Sequence, residues 1–262
     1  MKIAVSGKGG TGKTTISAIL ARAFMQRGFK VLAIDADPNA NLALSLGIPP
    51  EEAEKIIPIS ENSNLIEEKT GVKPESYGMV FRLSFRVDDI VEKFSVNSPE
   101  GVPLLTMGVV RSAGEGCMCP ANALIRALLR HLLTKRKEVV VVDMVAGLEH
   151  LGRGTVEYVD AILIVSDANL KSLETAKRIY RLSKEMGLKK VFSVGNKVID
   201  DSDERVIRQF FADNAIPLLG LIPYDEEIRR TDAKGGTLID ISNPTSGVLS
   251  MMRIGEILLD GA

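Results

Sequence analysis

The sequence predicts an α/β fold, namely a doubly wound, mostly parallel sheet with helices on both faces. Two observations predict this fold: short apolar runs recur along the 262 residues, and segments with the apolar spacing of helices lie between them. Most of the runs are apolar on both faces, as are strands buried inside a parallel sheet. The predicted strands are 2–6, 31–34, 104–107, 139–142, 161–165, 190–194 and 218–222.

The predicted helices connect these strands in the order that parallel crossovers require. In the first helix the apolar residues at 16, 19, 20, 23 and 24 line one face, and Gly28 suits a left-handed helix end. Further helices are predicted over 121–135, 170–186, 203–214 and 245–259. No linker or internal repeat interrupts the pattern, so we predict a single domain over 1–262, with 58–103 as a surface excursion that faces a partner.

Composition and charge narrow the class of partner and the compartment. The chain has 33 basic and 34 acidic residues, a net charge of −1, and 45% hydrophobic residues, as expected of a soluble globular protein. This balance argues against a nucleic-acid partner recruited by bulk charge. No apolar run approaches the roughly 18 residues of a membrane span, and the N-terminus does not read as a secretion signal. We therefore expect a cytoplasmic protein that does not act at a membrane.

A glycine-rich stretch after the first predicted strand indicates a phosphate-binding loop. It reads Gly7-Lys8-Gly9-Gly10-Thr11-Gly12-Lys13-Thr14-Thr15 and fits both G-x-x-x-x-G-K-[ST] and G-x-G-x-x-G. A dinucleotide fold needs only a backbone approach, whereas Lys13 offers a charge to the β and γ phosphate oxygens and Thr14 offers a hydroxyl to Mg²⁺. The stretch therefore predicts a P-loop NTPase that binds ATP or ADP with Mg²⁺ through residues 9–15.

The second lysine of this loop, Lys8, is not needed by an ordinary P-loop. The pattern G-K-G-G-x-G-K-T-T resembles the deviant Walker A motif of the family that includes the nitrogenase iron protein, the arsenite-transport ATPases and the septum-site and partition ATPases. This resemblance implies a homodimer in which Lys8 reaches the partner's nucleotide. The same resemblance implies that Lys8 has a catalytic role in addition to the catalytic role of Lys13.

Carboxylates follow two of the predicted strands. Asp37 and Asp143 come at strand ends, where α/β proteins bind their ligands, and such a carboxylate suits Mg²⁺ or a water molecule. From chemistry alone, a turn at Asp37 with a helix cap at Asn39 or Asn41 is an equal alternative. The resemblance of D-x-D-P-x-x-N to switch I implies that Asp37 orients the attacking water. The stretch 144–155 resembles switch II, which implies that Gly147 offers its N–H to the γ-phosphate.

Two further strand ends are candidates for recognition of the base. Asn196 and Lys197 follow the strand predicted over 190–194, which we expect to end by residue 195. An Asn side chain offers both a donor and an acceptor to an adenine edge. A turn Asn is the commonplace alternative. The stretch Pro223-Tyr224-Asp225 follows the next strand, where the family resemblance implies a second wall of the base pocket.

The only two cysteines in the chain, Cys117 and Cys119, lie one residue apart before a predicted helix. A thiol near a helix N-terminus has a lowered pKa, and the thiolate binds soft metals. A closed tetrahedral site needs four ligands, so two chains would bridge one Zn²⁺ or Ni²⁺ ion through four thiolates. A disulfide between such close residues is strained, and a redox or structural role is the remaining alternative.

The cysteine pair also narrows the resemblance. Together with the deviant Walker A motif, the stretch D-A-D-P-N-A-N and A-G-L-E-H-L-G-R-G-T, it resembles the CooC type of accessory ATPase, which promotes nickel insertion into carbon monoxide dehydrogenase. The resemblance implies an ATP-hydrolysing metallochaperone with that enzyme as its client. The alternatives are an ATP-dependent reductase that carries an iron–sulfur cluster on the same thiolates, and a positioning or partition ATPase.

Overall fold

A computed structural model describes residues 1–73, 82, 86–108, 120–135, 138–145, 159–234 and 239–261. Its centre is one eight-stranded sheet with the strand order β3-β4-β2-β5-β1-β6-β7-β8. All strand pairs are parallel except β3 with β4, which confirms the predicted mostly parallel sheet. The strands are β1 (Lys2–Gly7), β2 (Val31–Ala36), β3 (Val96–Asn97), β4 (Pro103–Thr106), β5 (Val139–Met144), β6 (Ala161–Ser166), β7 (Lys190–Val198) and β8 (Leu218–Pro223).

The helices occupy the segments between the strands, and all five predicted helices are confirmed. The described helices are α1 (Lys13–Gln26), α2 (Leu42–Ser45), α3 (Pro50–Ala53), α4 (Ser63–Thr70), α5 (Ile90–Phe94), α6 (Pro120–Lys135), α7 (Leu170–Glu185), α8 (Asp201–Asp213), α9 (Glu226–Lys234) and α10 (Ser246–Leu259). Helix α8 begins two residues before its predicted start because Asp200 accepts hydrogen bonds from the N–H groups of Ser202 and Asp203. Helix α9 was not predicted because it carries too few apolar residues to show a helical period, and the short helices α2, α3 and α5 span too few residues to show one. None of the described helices is long and apolar enough to cross a bilayer.

Two hydrophobic clusters cover the two faces of the sheet, as the apolar strands predict. Ala4, Val140 and Ile162 face the cluster that α6, α7 and α8 complete. Their sequence neighbours Ile3 and Val141 point to the opposite face and pack with α1 and α10. Successive strand residues alternate between faces, so a run that is apolar throughout requires helices on both sides.

The described parts of 58–103 do not lie only at the surface. Ile59, Leu65, Ile66 and Ile90 are buried in the cluster with α6. Strand β3 extends the sheet at its edge by pairing with β4. This stretch therefore contributes to the core, whereas its partner-facing role and the single-domain interpretation stay predictions.

The parallel arrangement brings the polar residues at the strand ends to one edge of the sheet. β1, β2, β5, β6, β7 and β8 run in the same direction, so their C-terminal ends meet there. The glycine-rich loop follows β1 at this edge, and the predicted site residues of β2, β5, β7 and β8 lie at the same edge.

Candidate active site

The glycine-rich loop joins the end of β1 to the first turn of α1. Gly12 stands at the N-terminal cap of α1 with φ of 94°, a left-handed conformation that favours glycine. A Cβ added at Gly12 would lie 2.4 Å from Nδ2 of Asn196. Both the backbone angle and the close approach of Asn196 therefore require glycine at this position.

Side chains hold this loop by its carbonyl oxygens. Thr11 Oγ1 and Lys13 Nζ donate to the carbonyl of Lys8 over 2.8 and 3.3 Å. Lys197 Nζ donates to the carbonyl of Gly10, and Asn196 Nδ2 donates to that of Thr11, each over 2.7 Å. The backbone N–H groups at the start of α1 remain the natural donors for an anion. The arrangement thus suits a bound phosphate group.

The loop leaves room for a ligand at its glycines. A Cβ added at Gly9 or Gly10 would meet no described atom within 4 Å. Lys13 and Thr15 are buried at the start of α1, whereas Lys8 and Thr14 are half-buried. The predicted phosphate-binding residues 9–15 are therefore brought together in one loop and helix turn, while the reach of Lys8 across a dimer stays a prediction.

Asp143 lies beside this helix turn, near the end of β5. It is buried and accepts hydrogen bonds from Ser17 Oγ over 3.2 Å and from the side chain of Thr14. Burial raises the pKa of Asp143 to about 6, although the Thr14 hydrogen bond and the charge of Lys13 act to lower it. A carboxylate held by a hydroxyl and facing a lysine is the environment expected of a Walker B residue.

The neighbouring strand carries a second buried carboxylate, Asp35, which was not among the predicted site residues. It lies opposite Asp143 in the register of β2 with β5. Asp35 Oδ1 accepts from the backbone N–H of Asp37 over 3.1 Å, and Oδ2 accepts from that of Leu42 over 2.9 Å. Burial raises the pKa of Asp35 to about 7, and the charge of Asp143 adds to this rise. Asp35 therefore holds both ends of the loop that carries Asp37.

Asp37 itself lies just beyond β2, and its Oδ1 accepts from the backbone N–H of Asn39 over 2.9 Å. This contact forms the turn that we considered as the alternative. The predicted cap at Asn41 is absent, because Asn41 Nδ2 donates to the carbonyl of Asn39 and the Asn41 side chain makes no capping bond to α2. The water-orienting role of Asp37 stays a prediction.

The oxygen donors at this edge fit Mg²⁺, which prefers carboxylate and hydroxyl ligands and keeps several waters. Thr14 and Asp143 are hydrogen-bonded to one another, and a charge on Asp37 acts on Asp143. These contacts agree in chemistry with the predicted ligand set of Thr14, Asp37 and Asp143, whose ion would neutralise charge on the β and γ phosphates; the set itself stays a prediction.

The candidate base-binding residues have contacts that the sequence did not reveal. Asn196 and Lys197 belong to β7, which continues to Val198 rather than ending at 195; the earlier predicted end is wrong. The pairing of β7 with β8 is irregular between 195 and 198, and Lys197 has φ of 59°. These features direct both side chains to carbonyl oxygens of the phosphate loop. The role of the two residues in base recognition stays a prediction.

The second predicted wall lies at the end of β8. Pro223 ends that strand, and Tyr224 is exposed, with its hydroxyl 3.0 Å from Glu226 Oε2. Asp225 accepts from the backbone N–H groups of Glu227, Ile228 and Gly247 and from the hydroxyl of Thr245. Its carboxylate is thus engaged at the starts of two helices, and its place in a base pocket stays a prediction.

Two contacts made by α1 carried no signal in the sequence. Thr15 Oγ1 donates to Asp232 Oδ2 in α9 over 3.4 Å. Arg22, buried in α1, donates to both carboxylate oxygens of Glu100. Each contact joins residues more than 70 positions apart, and neither Asp232 nor Glu100 lies in a recognisable motif.

Three predicted residues, Cys117, Cys119 and Gly147, lie outside the residues that the structure describes. Within the described ranges, no group of three or more His, Cys, Asp or Glu side chains is placed to hold a metal ion. The thiolate site and the switch II contact of Gly147 therefore stay predictions.

Comparison with known proteins shows similarity along most of the chain. The family model of the CbiA type, described as the CobQ/CobB/MinD/ParA nucleotide-binding domain, matches residues 2–238. The carbon monoxide dehydrogenase accessory protein CooC of Rhodospirillum rubrum is 48% identical over 92% of this chain and 90% of its own length. An ATP-binding protein of Methanocaldococcus jannaschii is 44% identical over 90% of each chain. The solved MinC:MinD cell division complex of Aquifex aeolicus superposes with a TM-score of 0.70 at 21% identity, covering 99% of this chain and 96% of that one.

Proposed function

Because the chain belongs to the CobQ/CobB/MinD/ParA nucleotide-binding family, we propose that it is an ATPase whose nucleotide-driven dimer closure promotes nickel insertion into carbon monoxide dehydrogenase. ATPase activity follows from the family and from its ATP-binding relatives. The similarity to CooC of Rhodospirillum rubrum confirms the resemblance that the sequence motifs indicated. That 48% identity over 92% of the chain is the single observation that supports the choice of client.

In this proposal the phosphate loop binds the nucleotide, and Asp37 takes part in hydrolysis of the nucleotide. The N–H groups of residues 9–15 donate to the phosphates, and Lys13 places its charge at the β and γ oxygens. Asp37 orients the attacking water, while Lys8 contacts the nucleotide of the second protomer. Catalysis of this kind rests on positioning and electrostatics, so closure of the dimer would complete the site.

The nickel cargo, or Zn²⁺ in its place, would bind between the two protomers. Each chain supplies two thiols, Cys117 and Cys119, and a tetrahedral site takes four ligands. The stoichiometry therefore ties metal binding to the dimer. ATP binding and hydrolysis would then change the geometry of the shared site and release the ion to the client.

Metal binding and oligomeric mass, measured together, test this proposal. The wild type and the Cys117→Ala/Cys119→Ala variant are titrated with Ni²⁺ and with Zn²⁺ in the presence of ADP or ATP, and their masses are followed by light scattering. We expect one ion per two wild-type chains and loss of this binding in the double variant. Nickel incorporation into apo carbon monoxide dehydrogenase should require ATP and both cysteines.

The variant Met118→Ala provides a matched control, because it changes the residue between the cysteines and keeps both thiols. It should bind metal like the wild type. Unchanged metal binding by the double cysteine variant would contradict the shared thiolate site. A visible absorption band in anaerobically purified protein that is lost on oxidation would instead identify the iron–sulfur reductase.

A further inference from the structure

A fully buried hydroxyl lies one helical turn beyond the phosphate loop and has no part in the proposed function. Ser17 Oγ donates to Asp143 Oδ1 over 3.2 Å, across 126 positions of the chain. Serines inside helices often return their hydroxyl to the carbonyl four residues earlier, as Ser183 does to Ile179 over 2.7 Å. The Ser17 hydroxyl contacts a carboxylate of another element, and that carboxylate is a predicted Mg²⁺ ligand.

The same carboxylate also accepts a hydrogen bond from the side chain of Thr14. Thr14 and Ser17 are three positions apart in α1, so their side chains lie on one face of the helix. In the proposed function, the Thr14 oxygen would have to serve the ion as well as Asp143. Ser17 has no second role there, so its hydrogen bond can persist with and without the nucleotide.

Neighbouring strands hold the backbone of Asp143 in place. Asp143 is paired with Val5 of β1 and with Asp35 of β2. Two residues further on, the carbonyl of Val145 accepts over 3.2 Å from the hydroxyl of Ser6, which lies in β1 just before the loop. Because the backbone is held in this way, the orientation of the Asp143 carboxylate depends on its side-chain torsions, and therefore on the groups that donate to its oxygens.

Mg²⁺ requires a nearly ideal octahedral arrangement of oxygen ligands, so it tolerates little error in the orientation of a carboxylate. Removal of a group that hydrogen-bonds to a metal ligand typically lowers metal affinity about ten- to a hundredfold. We propose that Ser17 is a positioning residue that fixes the Asp143 carboxylate for Mg²⁺ and so sets how much Mg²⁺ the nucleotide site needs. The inference rests on the nucleotide site of the proposed function and on its predicted Mg²⁺ ligands. It is independent of the client and of the thiolate metal site.

Calorimetric titration of ADP at a series of Mg²⁺ concentrations, and also in EDTA, tests the inference without interference from hydrolysis. In Ser17→Ala, the Mg²⁺ concentration that gives half of the metal-dependent gain in ADP affinity should rise about tenfold. ADP affinity in EDTA should equal that of the wild type, because Lys13 and the N–H donors of the loop are unchanged. Ser17→Thr keeps the hydroxyl and should keep the wild-type midpoint. Ser17→Cys, whose thiol is a weak donor, should shift the midpoint in the same direction as Ser17→Ala and replaces that variant if it does not fold.

The matched control is Ser183→Ala, which removes an equally buried serine hydroxyl from α7 and should leave the Mg²⁺ midpoint unchanged. An unchanged midpoint in Ser17→Ala would overturn the inference. So would a loss of ADP affinity that is equal in EDTA and in saturating Mg²⁺, which would show that Ser17 only supports the fold of the loop. A wild type whose ADP affinity does not depend on Mg²⁺ would overturn the predicted ion site together with this inference, whereas one that binds no ADP would overturn the nucleotide site itself.

Discussion

At the scale of single residues, Asp35 shows how a buried carboxylate can fix a loop at the edge of the sheet where the strand C-termini meet. It is fully buried, yet both of its oxygens accept backbone N–H groups, from Asp37 and from Leu42. These bonds connect the end of β2 to the start of α2, so the loop between them cannot shift without breaking one. The sequence shows Asp35 within the D-A-D pattern, but its partners become evident only in the folded chain.

Substitution Asp35→Asn should therefore impair both stability and hydrolysis. An amide retains one carbonyl acceptor and turns an NH₂ group toward the second N–H, which leaves a buried donor unsatisfied at a cost of about 1–3 kcal/mol. Displacement of Asp37 should lower kcat about ten- to a hundredfold, with less effect on KM because the phosphate loop is unchanged.

The comparison variant is Asp167→Asn, since Asp167 accepts a backbone N–H from Asn169 in an exposed loop. It should change the free energy of unfolding, measured in urea, by less than Asp35→Asn does. Equal kcat values for Asp35→Asn and the wild type would show that Asp35 does not position Asp37.

At the scale of secondary-structure elements, Asp225 caps two helices at once. Its carboxylate accepts from the N–H groups of Glu227 and Ile228 at the start of α9, and from Gly247 and Thr245 at the start of α10. Thr245 occupies the N-cap position of α10 but does not cap it through its own side chain. One side chain therefore replaces two local caps, and sequence patterns, which treat each helix separately, do not anticipate this.

The caps predict a pH-dependent contribution to stability. Burial acts to raise the pKa of Asp225, but the hydrogen bonds from Thr245, Ile228, Gly247 and Glu227 hold it below the ordinary value of 3.8. A folded-state pKa below the unfolded one gives stability that is present above about pH 4 and is lost as the pH falls through the folded value. Asp225→Ala should cost about 1–2 kcal/mol at pH 7, and this difference from the wild type should narrow below pH 4.

Urea unfolding at a series of pH values measures this effect. Glu227→Ala, on the same helix, serves as the reference variant, because its exposed side chain should contribute little at any pH. A difference between Asp225→Ala and the wild type that stays constant from pH 7 to pH 3 would contradict the capping role.

At the scale of the whole molecule, the ion pair of a buried arginine with a partly exposed glutamate ties three distant segments together. Arg22 in α1 is 2% exposed and forms a bidentate pair with Glu100 before β4, over 2.6 and 2.7 Å. The same guanidinium donates to the carbonyl of Ile239, beyond α9. The helix that starts at the phosphate loop is thus held to the segment before β4 and to Ile239.

The unequal burial of the two partners predicts unequal costs of removing them. Glu100 is 32% exposed, so water can hydrate its carboxylate in the Arg22→Met variant. The free energy of unfolding of that variant should therefore fall by about 1–3 kcal/mol. Glu100→Gln leaves the charge of Arg22 buried without its counter-charge, which should cost about 3–5 kcal/mol. The double variant should be more stable than Glu100→Gln alone.

Urea denaturation of the two single variants and the double variant gives the coupling energy. The exposed pair of Arg208 with Glu204 on α8 supplies the control, and Glu204→Gln should cost about 0.3–0.5 kcal/mol. A Glu100→Gln variant as stable as Glu204→Gln would refute the stabilising role of the Arg22–Glu100 pair.

The sequence by itself determined the layered sheet, its two cores and the phosphate loop, because these features follow from local patterns. Apolar runs specify buried strands, helical spacing specifies one packed face, and the lysine and threonine of the loop are contiguous. Parallel strands also place their C-terminal ends at one edge, which is how Asp37 and Asp143 could be assigned to a common site.

Only the tertiary structure decided which side chains meet across the chain. The contacts of Asn196 with Thr11, of Asp232 with Thr15 and of Arg22 with Glu100 join residues 185, 217 and 78 positions apart. Such pairs depend on the order of strands in the sheet and on the end of β7 at Val198, which no local period encodes. The sequence thus specifies the elements and the chemistry of the loop, whereas the packing of distant elements decides which side chains support it.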